Sequence, residues 1–175
     1  LYSHSKHRKL ATIAKQSFSR FLKCRECGKE HPTKKLAVCE DCFAPVDLVY
    51  DYQSIELDHR SFADRPHSIW RYRELLPLND IRNIIDLGVG YTPLVKCDNL
   101  GKILGLRNLY VKNDTVNPTY SFKDRPASVA VSKALEFGDK AVGCASTGNL
   151  AGAVAAHAGK AGIPCYVFTP ANTEQ

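Results

Sequence analysis

Lys123 lies in the run Asn117-Pro118-Thr119-Tyr120-Ser121-Phe122-Lys123-Asp124-Arg125, between an apolar strand pattern and an amphipathic helix pattern. Pro118 fixes its own φ and biases Asn117 away from helical geometry, so the chain enters this run extended. Ser121 and Asp124 have the spacing of a capping box, which predicts a helix starting near Phe122 with Lys123 in its first turn. Unpaired backbone N–H groups and the positive end of the helix dipole disfavour an ammonium there. A neutral amine suits the position, and a neutral amine is the nucleophile of Schiff-base chemistry. About one strand later, Ser146-Thr147-Gly148-Asn149 offers two hydroxyls, an amide and backbone N–H groups at a helix start. Such a turn either receives a carboxylate or phosphate, or merely caps its helix through Ser146 or Thr147. A nucleophilic lysine and an anion nest at one sheet edge fit a carbonyl cofactor with an amino-acid substrate.

A separate chemistry is written near the start. Cys24-Arg-Glu-Cys27 and Cys39-Glu-Asp-Cys42 are two Cys-x-x-Cys pairs separated by eleven residues. Two such knuckles set four thiolates in a tetrahedron, the ligand set of a structural Zn²⁺, and Gly28 suits the positive φ of a knuckle turn. His31 lies inside the interval and is expected to be a solvated loop residue, since four cysteines already complete the shell. Four of seven cysteines in such pairs point to a reducing, cytoplasmic compartment and to a metal rather than disulfides.

The elements that position these groups divide the chain into four stretches. Residues 1–23 hold six Lys/Arg and no acid, with Leu10, Ile13, Ala14, Phe18, Phe21 and Leu22 at helical spacing, and predict a basic amphipathic helix. Residues 24–42 form the zinc-ribbon-like module of four cysteines. Residues 43–90 read as linker and N-terminal arm, with a short strand at 46–50 and a short helix from Trp70 stopped by Pro77. Trp70 and Tyr72 are expected to pack on the next domain. Residues 91–175 read as α/β: strands near 91–95, 109–112, 141–145 and 165–168, and helices over 100–104, 122–137 and 150–160 ended by Gly105, Gly138 and Gly162. Two successive strand–helix–strand units predict a parallel sheet.

Composition sets the bounds. The chain has 175 residues, 44% of them hydrophobic and 24% charged, and a formal net charge of +6. That excess equals the six basic residues of the first 23, so the remainder is formally neutral and no global nucleic-acid face is predicted. No apolar run approaches the roughly 18 residues of a membrane span. The absence of methionine and the stop at Gln175 just after a strand-like run predict a piece of a longer chain.

Asn-Pro-Thr-x-Ser-Phe-Lys-Asp-Arg followed by Ser-Thr-Gly-Asn resembles the fold-type II pyridoxal-phosphate enzymes, and among them the threonine synthase family. Thr92-Pro93-Leu94, Tyr110-Val-Lys-Asn-Asp114, the cysteine-paired ribbon and Trp70-Arg-Tyr are similar to the same family. The resemblance implies that Lys123 carries pyridoxal 5'-phosphate covalently and is catalytic, and that Asn149 hydrogen-bonds the cofactor's ring hydroxyl. It places Phe122 beside the ring, with Ser146, Thr147 and Gly148 holding the substrate carboxylate. Asp124 and Arg125 take capping and structural roles. Tyr120 departs from the glycine often found there, and Pro126 from the more usual glycine or aliphatic residue. The implied reaction converts O-phospho-L-homoserine and water to L-threonine and phosphate, with the freed Lys123 amine moving protons at Cα and Cβ. The implied partner is this small amino-acid substrate, with no nucleic acid and no membrane, and with room for a homo-oligomer. The glycine-rich loop for the cofactor phosphate and the residue that meets the pyridine nitrogen come from later sequence in that family, and neither pattern occurs before Gln175. Alternative readings are a related enzyme, such as a cysteate synthase or a threonine dehydratase, and a zinc-ribbon nucleic-acid binder that uses the basic residues 1–23.

Overall fold

The computed structural model describes residues 17–172. Residues 1–16 of the expected N-terminal helix lie outside that range, and the part within it is not helical. Ser19–Cys24 is strand β1, the centre of an antiparallel sheet in the order β2–β1–β3, with β2 at Glu30–His31 and β3 at Val46–Tyr50. Phe18, Phe21 and Leu22 fit a helical period, but the strand gains backbone partners on both edges. Leu22 is paired with His31 on one side and Leu48 on the other. Tertiary pairing overrides so short a periodic pattern.

A polar arm of 3₁₀ turns follows. Ile69–Leu75 is one such helix, its start capped by the Ser68 side chain, which accepts from Trp70 N–H. Trp70 is 4% exposed and clusters with Ile69, Leu78 and Val89.

Beyond the arm, Leu94–Lys96 (β4) pairs antiparallel with Tyr110–Lys112 (β5), and helix α1 (Asp98–Leu104) lies between them, closed by Gly105 at φ +70°. Helix α2 spans Asp124–Glu136, Val142–Ala145 is β6, α3 spans Asn149–Ala161 and Cys165–Phe168 is β7. Strands β6 and β7 are parallel across α3, as the pattern predicts. The other expected unit differs. Among the described residues β5 pairs with β4 and not with β6, and its three residues are exposed rather than buried. The connection between β4 and β5, residues 97–109 with α1 inside it, is long enough for either direction, so its length does not decide the antiparallel pairing.

Helix α2 packs through two faces. Ala127 and Val131 meet Ala153 and Val154 of α3 in one apolar cluster. On another face Ser128 and Ser132, one turn apart and fully buried, hold backbone that has no sheet or helix of its own. Ser128 Oγ donates to the Ile85 carbonyl at 2.6 Å and accepts the Trp70 indole N–H at 3.0 Å. Ile85 N–H donates to Ser132 Oγ at 2.8 Å, and the Glu136 carboxylate accepts the backbone N–H groups of Asn79 and Asp80. Among the described residues no helix is long and apolar enough to cross a membrane.

Ser128→Ala strips partners from two buried polar groups, the Trp70 indole and the Ile85 carbonyl. It is expected to lower stability by about 1–3 kcal/mol, read as a shift of the denaturant midpoint at constant slope. A shift within experimental error would show that neither bond contributes.

Candidate functional site

Helix α2 begins at Asp124, so Lys123 is its cap residue rather than a first-turn residue. The expected capping box does not form. Ser121 Oγ accepts the Lys123 N–H at 3.2 Å, but the Asp124 carboxylate turns back to Thr119, accepting its N–H at 2.7 Å and its hydroxyl at 3.0 Å. This tight loop forces Tyr120 into the left-handed region at φ +58°, with its side chain 82% exposed. Glycine adopts that conformation without cost, and tyrosine carries some strain. Lys123 is half-buried; its Nζ stands 4.6 Å from the centre of the exposed Phe122 ring, a cation–π distance. No carboxylate lies within ion-pair reach of that nitrogen among the described residues.

Two anchors fix the loop from the other side. Arg125 grips Asp114 with two bonds, Nε to Oδ2 at 2.9 Å and Nη2 to Oδ1 at 2.8 Å. The Thr92 hydroxyl donates to the same carboxylate at 2.6 Å, and Lys112 Nζ donates to the Thr92 carbonyl. Asn117, nearly buried, donates from Nδ2 to the Asp114 carbonyl and accepts the Gly90 N–H. Gly90, at φ +85°, leaves no room for a Cβ, which would sit 2.6 Å from the Ile69 side chain and 3.0 Å from Arg125 Nη1.

The second loop stands at the start of α3. Its cap residue is Gly148, which has no side chain to offer, and Asn149 is the first helical residue. The plain N-cap by Ser146 or Thr147 is not made. Instead Ser146 Oγ accepts the Gly148 N–H at 3.3 Å, while Thr147, Gly148 and Asn149 are exposed. The first N–H groups of α3 therefore carry no side-chain cap, and open space surrounds Gly148 where a Cβ would stand. Among the described residues no hydrogen bond joins this loop to Lys123. The two are related through the helices behind them, whose packed faces meet at Ala127, Val131, Ala153 and Val154.

The cysteine cluster is formed. Sγ atoms of Cys24, Cys27, Cys39 and Cys42 all lie within 4.8 Å of one another, with Cys24–Cys42 at 3.4 Å and Cys27–Cys39 at 3.7 Å. Four sulfurs about 2.3 Å from one Zn²⁺ would stand about 3.8 Å apart in a tetrahedron, so the cage has metal dimensions. The two knuckles repeat one another: Cys24 N–H bonds to Lys29 O and Cys39 N–H to Ala44 O. After each pair the chain turns left-handed, at Gly28 (φ +74°) and at Phe43 (φ +59°). Gly28 is readable from sequence; Phe43 is not, because only the repeat reveals it. The Cys27 backbone N–H leads the groups that hold the Cys24 thiol down at about 6, whereas Cys27 stands at about 12. Although the Lys29 N–H pulls Cys27 down, its bond with Cys24 and burial push it further up. Four thiolates this close repel one another unless a cation joins them. His31, expected to be solvated, is 3% exposed on β2, with Nδ1 3.6 Å from a Glu40 oxygen.

The Arg125 guanidinium, and then the Thr92 hydroxyl, hold the Asp114 carboxyl at about 2 against its ordinary 3.8. A carboxylate depressed in the fold stabilises fully above its unfolded value and loses that stabilisation as pH falls towards the folded one. The parent protein should therefore lose stability between about pH 4 and pH 2 more steeply than Asp114→Asn, measured as denaturant midpoint against pH. Parallel curves would remove the pair from the stability of the loop.

A model of the pyridoxal-phosphate dependent enzyme family matches residues 85–175. The threonine synthase of Methanosarcina acetivorans is 45% identical over 151 residues, covering 86% of this chain and 37% of that protein. That of Methanocaldococcus jannaschii is 41% identical over 150 residues, or 85% of this chain and 37% of the relative. A third, from Halalkalibacterium halodurans, is 44% identical over 108 residues, which are 59% of this chain and 30% of that protein. The chain thus spans about a third of the length of these curated relatives. Because the match runs over more than half of the chain and takes in both candidate loops, the chain belongs to the pyridoxal-phosphate dependent enzyme family.

Proposed function

We propose that this chain is the part of a threonine synthase that supplies the cofactor lysine and the substrate-carboxylate loop. The observation that carries the reading is that Lys123 and Ser146–Asn149 both fall within the family match, each at the start of a helix. Identity of 41–45% to threonine synthases over most of the chain supports the substrate class. No comparable support favours a cysteate synthase, a dehydratase or a nucleic-acid binder.

The residues present fit the cofactor. Lys123 Nζ has no carboxylate partner to surrender among the described residues, and the open, uncapped start of α3 can receive an anion. Lys123 would hold pyridoxal phosphate through its amine, Asn149 would bond the ring hydroxyl and Phe122 would pack beside the ring. Pyridoxal phosphate, when bound, supplies the electron sink for carbanion chemistry. Ser146, Thr147 and Gly148 would fix the carboxylate of O-phosphohomoserine, orienting its Cα hydrogen towards Lys123. The freed Nζ would then move protons at Cα and Cβ as phosphate departs from Cγ and water adds at Cβ. The four-cysteine cage of residues 24–42 would hold a structural Zn²⁺ that fixes the first knuckle to the second, set apart from this chemistry.

Two measurements test the reading. Borohydride treatment of the full-length protein should fix the cofactor's mass on the peptide containing Lys123, and Lys123→Ala should lose both this adduct and threonine formation from O-phosphohomoserine. An adduct on another residue, or phosphate release without threonine, would refute it. For the cage, metal analysis should find one zinc per chain, and Cys39→Ser should reduce that content; a metal-free protein of unchanged melting temperature would exclude the structural zinc.

A further inference from the structure

His157, in the middle of α3, has no part in the reaction described above, yet it is fully buried beside the residue that follows Lys123. Its Nδ1 lies 2.8 Å from the Ala153 carbonyl oxygen and 3.8 Å from Asp124 Oδ1. A carbonyl only accepts, so Nδ1 carries the hydrogen and donates it to Ala153, while the ring edge stands against the Asp124 carboxylate without a hydrogen bond to it. Asp124 is also fully buried, and its two oxygens have different surroundings. Oδ2 takes the Thr119 N–H and hydroxyl; Oδ1 has no hydrogen-bond partner among the described residues. His157 is the one basic side chain near that second oxygen among the described residues.

A buried carboxylate depends on the polar groups packed around it, and the His157 imidazole is the polar side chain that stands against its unbonded oxygen. Asp124 is also the residue that folds the Thr119–Lys123 loop back on itself. Whatever steadies the Asp124 carboxylate therefore steadies the direction from which the lysine amine leaves the helix.

We propose that His157 is a positioning residue for Lys123, acting through the Asp124 carboxylate that holds the lysine loop. This rests on the reading of Lys123 as the cofactor-bearing lysine. The same helix, α3, then presents the carboxylate loop at its first turn and braces the lysine loop two turns later.

The test uses the full-length enzyme loaded with pyridoxal phosphate. His157→Gln should keep a melting temperature close to the parent's while kcat falls roughly 10- to 100-fold, with KM changed less than about twofold. The visible absorbance band of the lysine-bound cofactor should shift or weaken at equal total cofactor, a signature that a merely structural role would not produce. Asp124→Asn should produce the same band change, and the two substitutions together should cost little more than either alone. Unchanged kcat and band in a folded His157→Gln protein would overturn the proposal. So would lost melting temperature with kcat and band intact, or additive effects in the double variant. If His157→Gln does not fold, Asp124→Asn/His157→Leu removes the buried charge together with its neighbour and should restore the fold without restoring kcat; recovery of parental kcat and band would be decisive against the role. Loss of the covalent cofactor in Lys123→Ala beside an unaltered His157→Gln refutes the role of His157 alone. Cofactor still covalently attached in Lys123→Ala refutes the reading of Lys123 and this proposal with it.

Discussion

The hydrogen bonds that Ser128 and Ser132 make to the backbone around Ile85 set the position of α2, and α2 sets everything else that could do chemistry. Buried backbone without a ladder partner must find its donors and acceptors among side chains. Residues 79–85 find theirs on one face of α2, from Ser128, Ser132 and Glu136, spaced one turn apart. A serine in a helix interior is a modest choice by propensity alone. Here its hydroxyl reaches across the interface, so the helix cannot slide or rotate without orphaning several polar groups at once. The apolar pairing of Ala127 and Val131 with α3 is compatible with small shifts; the serine bonds are not.

From that fixed helix the lysine loop is held at short range. Asp124 and Arg125, the two residues after Lys123, pull in different directions: Asp124 inward to Thr119, Arg125 outward to Asp114 and Thr92. Between them they leave little freedom for the backbone of Lys123, while its amine stands against the Phe122 ring. The strain at Tyr120 is a consequence of the same fold-back. At the opposite end of α2, Lys35 from the cysteine-bearing segment pairs with Asp139 and stands 5.6 Å from the Phe137 ring. These exposed contacts contribute little energy individually, but they seat the N-terminal sheet against the helix end away from the lysine.

Particular residues show how far the chain can be read unaided. The glycines at 105, 138 and 162 mark helix ends, and each has a positive φ. The Cys-x-x-Cys spacing announces a cage that closes to metal dimensions. Asp124 reads as half of a capping box because three-residue spacing is the available clue; its true partner, Thr119, lies upstream, in a loop whose shape no local rule gives. Residues 18–22 read as helical because their apolar spacing suits both periods, and the deciding partners, His31 and Leu48, are distant in sequence. His31 and His157 are unremarkable in sequence and prove buried, since burial depends on what packs over a residue.

The sequence by itself determined the candidate chemical groups and several helix ends: the lysine, the Ser-Thr-Gly-Asn turn, the paired cysteines, and the glycines that close the helices. These are properties of residue type and short spacing, and the lysine and the turn both lie within the family match of residues 85–175. Only the tertiary structure decided that β5 returns to β4, that α2 is gripped through its serines, and that a histidine in α3 stands against the carboxylate beside Lys123. Each of those depends on groups far apart in the chain competing for the same buried hydrogen bonds, and no local pattern records the winner.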